Sequence, residues 1–200
     1  MRGSPSFPIE GGNMDSYQIT DFCHRMVREH IKEGDLCIDA TMGNGGDTEF
    51  LCRSVGESGK VLAFDIQQQA LEHTGMRLKK QLHHQNYELF LMGHEKMEDY
   101  AEAGTVSCIL FNLGYLPSGD HALSTKAETT IKAMEAGLRL LKKGGIMSVC
   151  IYSGGDSGYA ERNAVLEWLK NLDHKKYLVL LTAYYNRPND PPIPVQVIKL

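Results

Sequence analysis

The sequence lacks the features that mark membrane, secreted and zinc-binding proteins. No run of about 18 apolar residues occurs, so no membrane-spanning helix is expected. The five cysteines are widely spaced, odd in number and free of any C-x-x-C pair, which argues against a disulfide framework and against a zinc site. The formal net charge is only −4, which excludes a bulk phosphate binder but permits a local basic patch. We therefore expect a cytoplasmic protein without a metal ion.

The chain does contain enough apolar residues, 42% of the total, to bury a core. Residues 1–13 are rich in Gly, Pro and Ser without periodicity, so we predict a tag or a disordered leader there. We predict that residues 14–200 form a single domain.

Short apolar strands alternate with segments of helical periodicity along this domain. The predicted strands are Leu36–Ala40, Val61–Ile66, Tyr87–Leu91, Val106–Phe111, Ile146–Tyr152, Tyr177–Tyr184 and Pro194–Leu200. Helices are predicted over Asp15–Lys32, Leu71–Leu82, Ile131–Leu141 and Val165–Leu169, with Gly144-Gly145 as the stop of the third. This alternation predicts an α/β fold in which helices cover both faces of a mostly parallel seven-stranded sheet. Because only the turn Asn186–Pro192 separates the last two strands, the last strand should be antiparallel.

A glycine-rich loop follows the first predicted strand and precedes a helix. Within Asp39–Thr48, glycines let the backbone approach a ligand closely, and the helix N-terminus provides free N–H groups. A tight turn without a ligand explains the loop in isolation equally well. However, Asp65 ends the second strand about 20–26 residues later, where a carboxylate binds the ribose diol in dinucleotide folds. Together the two features indicate an adenosine-containing cofactor at the carboxyl edge of the sheet.

NAD and S-adenosyl-L-methionine both fit this arrangement. The negative charge of Asp39 beside the glycines would repel a pyrophosphate and attract an ammonium or a sulfonium. No G-K-[ST] motif is present, so nucleotide hydrolysis is not expected. The sequence therefore favours S-adenosyl-L-methionine.

The fourth strand ends at a second motif whose side chains are suited to binding or catalysis. Asn112 offers an acceptor and Tyr115 an aromatic wall at the edge that faces the cofactor crevice. An amine nucleophile needs acceptors for its N–H groups, and a flat wall suits a planar base. An Asx-type turn with a core tyrosine is the alternative explanation. The cysteines lie within strands and helices, so a covalent cysteine mechanism is not expected.

Five segments together resemble one bacterial family. They are D-A-T-M-G-N-G-G-D-T at 39–48, F-D-I-Q at 64–67, F-N-L-G-Y-L-P-S-G-D at 111–120, T-T-I-K-A at 129–133 and N-D-P-P at 189–192. Over about residues 20–200 the chain resembles the bacterial rRNA methylase family of Rossmann-like class I S-adenosyl-L-methionine-dependent methyltransferases. Characterised members methylate the 5-aminomethyl group on the wobble uridine, or 2-thiouridine, of tRNA. The resemblance implies this activity, a tRNA partner contacted at its anticodon region, and a homodimer.

The resemblance also implies which residues form the site. Asn112–Tyr115 resembles the N/D-P-P-Y motif of amino-methyltransferases with Leu-Gly in place of Pro-Pro, which makes Asn112, Tyr115 and Asp120 candidate catalytic residues. Asp65 would bind the ribose and His94 would lie near the adenine. The full cofactor-binding set is Asp39, Thr41, Gly43, Asn44, Gly45, Asp47, Thr48, Asp65, Ile66, Gln67, His94, Asn112, Leu113 and Gly114. The implied substrate contacts are Thr125, Lys126, Tyr152, Asn189 and Asp190.

One departure from the family pattern affects the mechanism. Members often have Tyr-His-Gly-His after the fifth strand, whereas this chain reads Tyr152-Ser153-Gly154-Gly155. A histidine there cannot be a required base. His24, in the first helix, is expected to be structural. Methylation of rRNA or of a small molecule is the alternative activity, and an NAD-dependent oxidoreductase or a non-catalytic cofactor-binding regulator is the alternative of another class.

Overall fold

The computed structural model describes residues 17–114, 126–153 and 155–200. Within these ranges, strands and helices alternate. The strands are β1 Leu36–Asp39, β2 Lys60–Asp65, β3 Tyr87–Leu91, β4 Val106–Leu113, β5 Leu141–Ile151, β6 Tyr177–Leu181 and β7 Ile193–Lys199. The helices are α1 Ile19–Arg28, α2 Gly46–Val55, α3 Gln68–Gln81, α4 Ala127–Leu140 and α5 Gly155–Lys170, with a 3₁₀ helix over His94–Asp99.

The described strands form one seven-stranded sheet in the order β3-β2-β1-β4-β5-β7-β6. The pairs from β3 to β5 are parallel, whereas β7 runs antiparallel to both β5 and β6. The prediction of a mostly parallel sheet with an antiparallel last strand is therefore confirmed. The order reverses between β1 and β4, and ligands of open α/β sheets bind outside the carboxyl ends of the strands at such a point.

Both faces of the sheet are buried, as the apolar strands predict. Ile38, Phe64 and Phe111 contribute to a core that also includes side chains of α4 and α5. Cys37 and Val61 point to the other face, into a second core that includes side chains of α1, α2 and α3. The strict alternation follows from the two-residue period of a strand. None of the described helices has the length and apolar character needed to cross a membrane.

The first helix is shorter than predicted. Gln18 is extended, so α1 begins at Ile19, and it ends at Arg28 instead of Lys32. The Lys32 N–H donates to the Asp35 carboxylate at 2.7 Å and not to a helix carbonyl, because the chain turns there into β1. The end of β6 also differs from the prediction, at Leu181 and not Tyr184.

The prediction that Gly144-Gly145 stops the third predicted helix, which is α4 in the structure, was wrong. The helix ends at Leu140, and β5 begins at once with Leu141 in an extended conformation. The Lys199 ammonium, on β7, donates to the carbonyls of Leu138 at 2.8 Å and Leu141 at 2.7 Å. This contact satisfies helix-end carbonyls that would otherwise need a glycine-type cap. Gly144, at a φ of 77°, instead lies within β5.

Candidate active site

A buried carboxylate, Asp39, holds the loop between β1 and α2 in place through hydrogen bonds. Asp39 is fully buried, accepts a hydrogen bond from the Thr48 hydroxyl at 2.6 Å and accepts another from the Thr41 N–H at 3.1 Å. Burial, together with the negative charges of Asp47 and Asp65, raises the pKa of Asp39 to about 7. These bonds fix the path of the loop, and the carboxylates make its surroundings electronegative.

Two glycines give the loop its shape. Gly43 and Gly45 have positive φ values of 49° and 77°, which glycine adopts without strain. A Cβ on Gly45 would come within 2.8 Å of the Thr74 Oγ1 and 3.0 Å of the Thr74 Cα. Thr74 also donates its hydroxyl to the Gly43 carbonyl at 3.0 Å. Gly45 is therefore required by close packing on α3 as well as by the turn.

Asp65 joins the loop to the end of β2. Its two carboxylate oxygens accept the N–H groups of Gly43 at 3.0 Å and of Gln67 at 2.9 Å. Beside it, Ile66 leaves 54% of its surface exposed although it is a large apolar side chain. A half-buried carboxylate next to an exposed apolar surface suits a ribose diol attached to a flat base.

The end of β4 is tied to the same loop. The Asn112 N–H donates to the Thr41 hydroxyl at 2.7 Å, and the Asn112 side-chain amide donates to Asp47 Oδ2 at 2.6 Å. Because a carboxylate only accepts hydrogen bonds, Nδ2 must be the amide atom that faces Asp47. The Asn112 Oδ1, which is a hydrogen-bond acceptor, therefore points away from Asp47. The other oxygen of Asp47 lies 2.7 Å from His24 Nε2.

His24, which the sequence analysis interpreted as a structural residue, contacts Asp47 at this site. Its ring stacks on Phe50 with centroids 3.8 Å apart and planes 5° from parallel. Its side chain and that of Asp47 are only 17% and 14% exposed. The two residues are 23 positions apart on different helices, so no local pattern pairs them. Helical periodicity, which places His24 on the same face as the buried Val27 and Ile31, was the one available signal.

His94 lies beneath the loop. Its Nδ1 donates to the Ala40 carbonyl at 3.2 Å, and its ring meets Phe111 edge to face at 5.7 Å. Burial lowers the pKa of His94. The ring is therefore a neutral support for the loop next to the predicted adenine position.

Leu113, Gly114 and Tyr152 lie side by side at the ends of β4 and β5. The Tyr152 N–H donates to the Leu113 carbonyl at 3.1 Å, and a Cβ on Gly114 would lie 3.3 Å from the Tyr152 Cβ. Burial, and then the neighbouring Cys150, raises the pKa of the Tyr152 phenol. Tyr152 is therefore a neutral hydroxyl next to Gly114, at the ends of β4 and β5.

The remaining predicted residues make other contacts. Asp190 accepts a hydrogen bond from the Tyr159 hydroxyl at 2.7 Å, and Asn189 and Asp190 both have positive φ values, as a tight turn requires. Lys126 precedes α4, and Asn44 is exposed with its side-chain oxygen 3.3 Å from His73 Nδ1. Tyr115, Asp120 and Thr125 lie outside the described residues.

Two of the buried cysteines are poor nucleophiles. All five are free and buried. Burial raises the pKa of Cys37 and of Cys52 to about 12, which keeps these two thiols protonated near neutral pH. Among the described residues, no group of three or more His, Cys, Asp or Glu side chains could hold a metal ion.

The donor set at this site fits S-adenosyl-L-methionine. The first turn of α2 has no side-chain cap, so its N–H groups are available to a carboxylate, and a Cβ on Gly46 would meet nothing within 4 Å. Asp39, Asp47 and Asp65 create a negative potential that favours a sulfonium and an ammonium over a pyrophosphate. Fold and site together define a class I methyltransferase.

The comparisons with known proteins agree. The family described as "Putative rRNA methylase" matches residues 61–198. A chloroplastic tRNA (mnm(5)s(2)U34)-methyltransferase from Arabidopsis thaliana is 36% identical over 94% of this chain and 74% of its own length. The crystal structure of a Clostridium thermocellum protein described as a "putative rRNA-methylase" has a TM-score of 0.86 and 44% identity, covering 90% of this chain and 97% of that one. A Streptococcus mutans protein described as a "putative methyltransferase", in complex with S-adenosylhomocysteine, has a TM-score of 0.82 and 35% identity, covering 92% of this chain and 99% of that one.

The chain belongs to the rRNA methylase family. It is an S-adenosyl-L-methionine-dependent methyltransferase of the rRNA and tRNA methylase type, which confirms the predicted enzyme class and cofactor.

Proposed function

We propose that this enzyme methylates the exocyclic amine of a 5-aminomethyl group on the wobble uridine of tRNA. The observation that carries the proposal is the orientation of Asn112. Asp47 holds its Nδ2, at 2.6 Å, so its Oδ1 is presented as a hydrogen-bond acceptor at the carboxyl end of β4. An acceptor suits an amine, which must direct its N–H groups away from the methyl donor. The name of the Arabidopsis relative, a tRNA (mnm(5)s(2)U34)-methyltransferase, supports the same acceptor.

The chain's own residues would align the reactants and exclude water. When bound, the cofactor supplies an electrophilic methyl group on a sulfonium. Asn112 Oδ1 accepts an N–H of the neutral amine and so turns the nitrogen lone pair toward that methyl group. Tyr115 provides a wall for the planar uracil, and Asp120 or water takes the proton that the nitrogen loses. A stronger base is unnecessary, because a neutral primary amine is already a good nucleophile.

The cofactor would be held by the loops described above. Asp65 binds the ribose hydroxyls, and Ile66 and Gln67 lie against the adenosine next to His94. The loop set Asp39, Thr41, Gly43, Asn44, Gly45, Asp47 and Thr48 surrounds the methionine portion, together with Leu113 and Gly114.

A cationic and aromatic surface beside the site supports an RNA substrate. The Arg25 guanidinium lies 6.0 Å from the ring centroid of the exposed Tyr17, and Phe22 meets Tyr184 edge to face. The next residue, Tyr185, is 100% exposed. Exposed aromatic rings interleaved with arginines are typical of surfaces that stack single-stranded bases and contact phosphates. We propose that the anticodon region lies here, with Thr125, Lys126, Tyr152, Asn189 and Asp190 as further contacts.

The sheet edge supports a homodimer. β6 is one of the two edge strands of the described sheet, and its Leu178, Leu180 and Leu181 are 44%, 38% and 56% exposed. Exposed apolar side chains on an edge strand favour pairing with another chain.

The free, buried cysteines support a reducing compartment such as the cytoplasm.

The direct test uses methyl-labelled S-adenosyl-L-methionine and tRNA that carries 5-aminomethyl-2-thiouridine. After digestion, mass analysis should find the label on the exocyclic amine. Asn112→Ala should reduce the rate about 100-fold or more, by analogy with loss of one preorganised hydrogen bond. Asn171→Ala is the matched control, because the Asn171 side chain hydrogen-bonds only to Glu167, near the end of α5, in the described structure. Unlabelled tRNA, with S-adenosylhomocysteine still bound, would refute the tRNA assignment and direct the search to rRNA and small amines.

A further inference from the structure

Three elements meet in one hydrogen-bonded chain of side chains at the active site. His24, on α1, contacts Asp47 Oδ1 at 2.7 Å, and Asp47, in the first turn of α2, accepts the Asn112 amide on Oδ2 at 2.6 Å. Asn112 lies near the end of β4. Each carboxylate oxygen of Asp47 thus has a different donor.

We infer that His24 is a positioning residue, which acts through Asp47 to fix the orientation of the Asn112 amide. The inference rests on the proposed function, in which Asn112 Oδ1 must face the amine. A flipped Asn112 would present its NH₂ group to the N–H groups of the substrate, and two donors do not bond. Holding the amide in one orientation therefore selects the reactive arrangement before the substrate binds.

Asp47 alone would hold the amide less firmly. A carboxylate with one donor can rotate about its terminal torsion, which is broad for aspartate. A second donor on the other oxygen removes that freedom. The His24 ring is itself fixed by stacking on Phe50 at 3.8 Å, so the direction of its N–H is set. The low exposure of His24 and Asp47, at 17% and 14%, limits competition from water.

A purely structural link between α1 and α2 is the competing explanation. It predicts that loss of His24 lowers stability and cofactor affinity, and that activity falls only in proportion. A positioning role predicts a fall in kcat while KM for tRNA and the Kd for S-adenosylhomocysteine change little, because the amide orientation matters to the reacting amine and not to the rest of either ligand.

Two substitutions of His24 test the contribution of its N–H group separately from that of its ring. His24→Phe keeps an aromatic ring to stack on Phe50 but removes the donor, whereas His24→Gln keeps a donor at the Nε2 position but removes the ring. We expect kcat to fall about 10- to 100-fold in His24→Phe, from the loss of one hydrogen bond to a charged group. His24→Gln should recover most of that loss, with KM and the S-adenosylhomocysteine Kd of both variants within about threefold of wild type. Equal losses in both variants, or an unchanged kcat in His24→Phe, would overturn the inference.

Nuclear magnetic resonance provides a readout that does not depend on activity. In the wild-type protein, nitrogen-15 spectra should find a proton on His24 Nε2, and the Asn112 side-chain amide should give two separate, slowly exchanging signals. In His24→Phe these amide signals should shift and broaden, and in His24→Gln they should remain. A wild-type His24 ring protonated only on Nδ1 would overturn the inference even if His24→Phe failed to fold. Failure of the proposed function would look different, because wild-type protein would bind S-adenosylhomocysteine but leave the tRNA unmethylated.

Discussion

The buried carboxylate of Asp39 gives the sharpest test of the electrostatics at this site. Asp39 is fully buried among neighbouring carboxylates, and this environment raises its pKa from 3.8 to about 7. Replacing it with Asn keeps the shape: the amide oxygen can accept the Thr41 N–H, and the amide NH₂ can donate to the Thr48 hydroxyl oxygen. The exchanged hydrogen bond changes stability by the same amount at every pH, whereas the loss of an ionisable group makes a contribution that depends on pH.

The size and sign of the effect follow from proton linkage. A shift of about three pKa units, at 1.36 kcal/mol per unit, corresponds to about 4 kcal/mol as an upper limit. Because the folded pKa is above the unfolded value, the stabilisation is complete below pH about 4 and is lost as the pH rises through 7. Wild type should therefore lose stability relative to Asp39→Asn across this window, and the difference should level off above it.

Urea unfolding of both proteins between pH 4.5 and 8.5 measures this difference. Asp35→Asn is the matched control, because the pKa of Asp35 is lowered. Burial alone would raise the pKa of Asp35. The hydrogen bonds from Lys142 and Lys32, together with the nearby Lys142 charge, lower it by more than burial raises it. Its stability difference from wild type should be constant from pH 5 to 8, where Asp35 stays ionised. A constant difference for Asp39→Asn as well would refute the reasoning, since it would mean that Asp39 is ionised throughout.

Three further predictions concern the loop, the cofactor and the end of α4. The ratio of affinities for S-adenosyl-L-methionine and S-adenosylhomocysteine, measured by calorimetry, should rise from pH 6 to 8. Ionised Asp39 attracts the ammonium of both ligands, but only S-adenosyl-L-methionine also has a sulfonium; a constant ratio would contradict this. Gly45→Ala should lower the free energy of unfolding by about 1–3 kcal/mol because it strains a left-handed residue against Thr74. Gly46→Ala, with open space around its Cβ, should leave that free energy within about 0.5 kcal/mol, and equal effects in a denaturant titration would count against the packing argument. Lys199→Met should cost about 1–3 kcal/mol by leaving helix-end carbonyls without their ammonium donor, and an unchanged melting temperature would exclude that role.

Much of the fold follows from local patterns. The apolar strands around Ile38, Leu62 and Ile109 are buried on both faces, so nearly every residue in them must be apolar. Such continuous apolar segments can be recognised in the sequence. The short turn after β6 likewise required an antiparallel β7. Helix ends were less predictable, because Lys199 acts on the end of α4 from about 60 residues away.

The candidate site divides in the same way. The sequence alone determined the glycine loop, the carboxylates at the ends of β1 and β2, and Asn112 at the end of β4, because each belongs to one strand-to-loop junction whose chemistry is local. Only the tertiary structure decided that Asp39 lies fully buried under the loop, and that His24 reaches Asp47 and through it Asn112. Those contacts join α1, α2 and β4 across 23 and 65 residues, and hydrogen bonds between such distant positions form only once the sheet has brought its strand ends together.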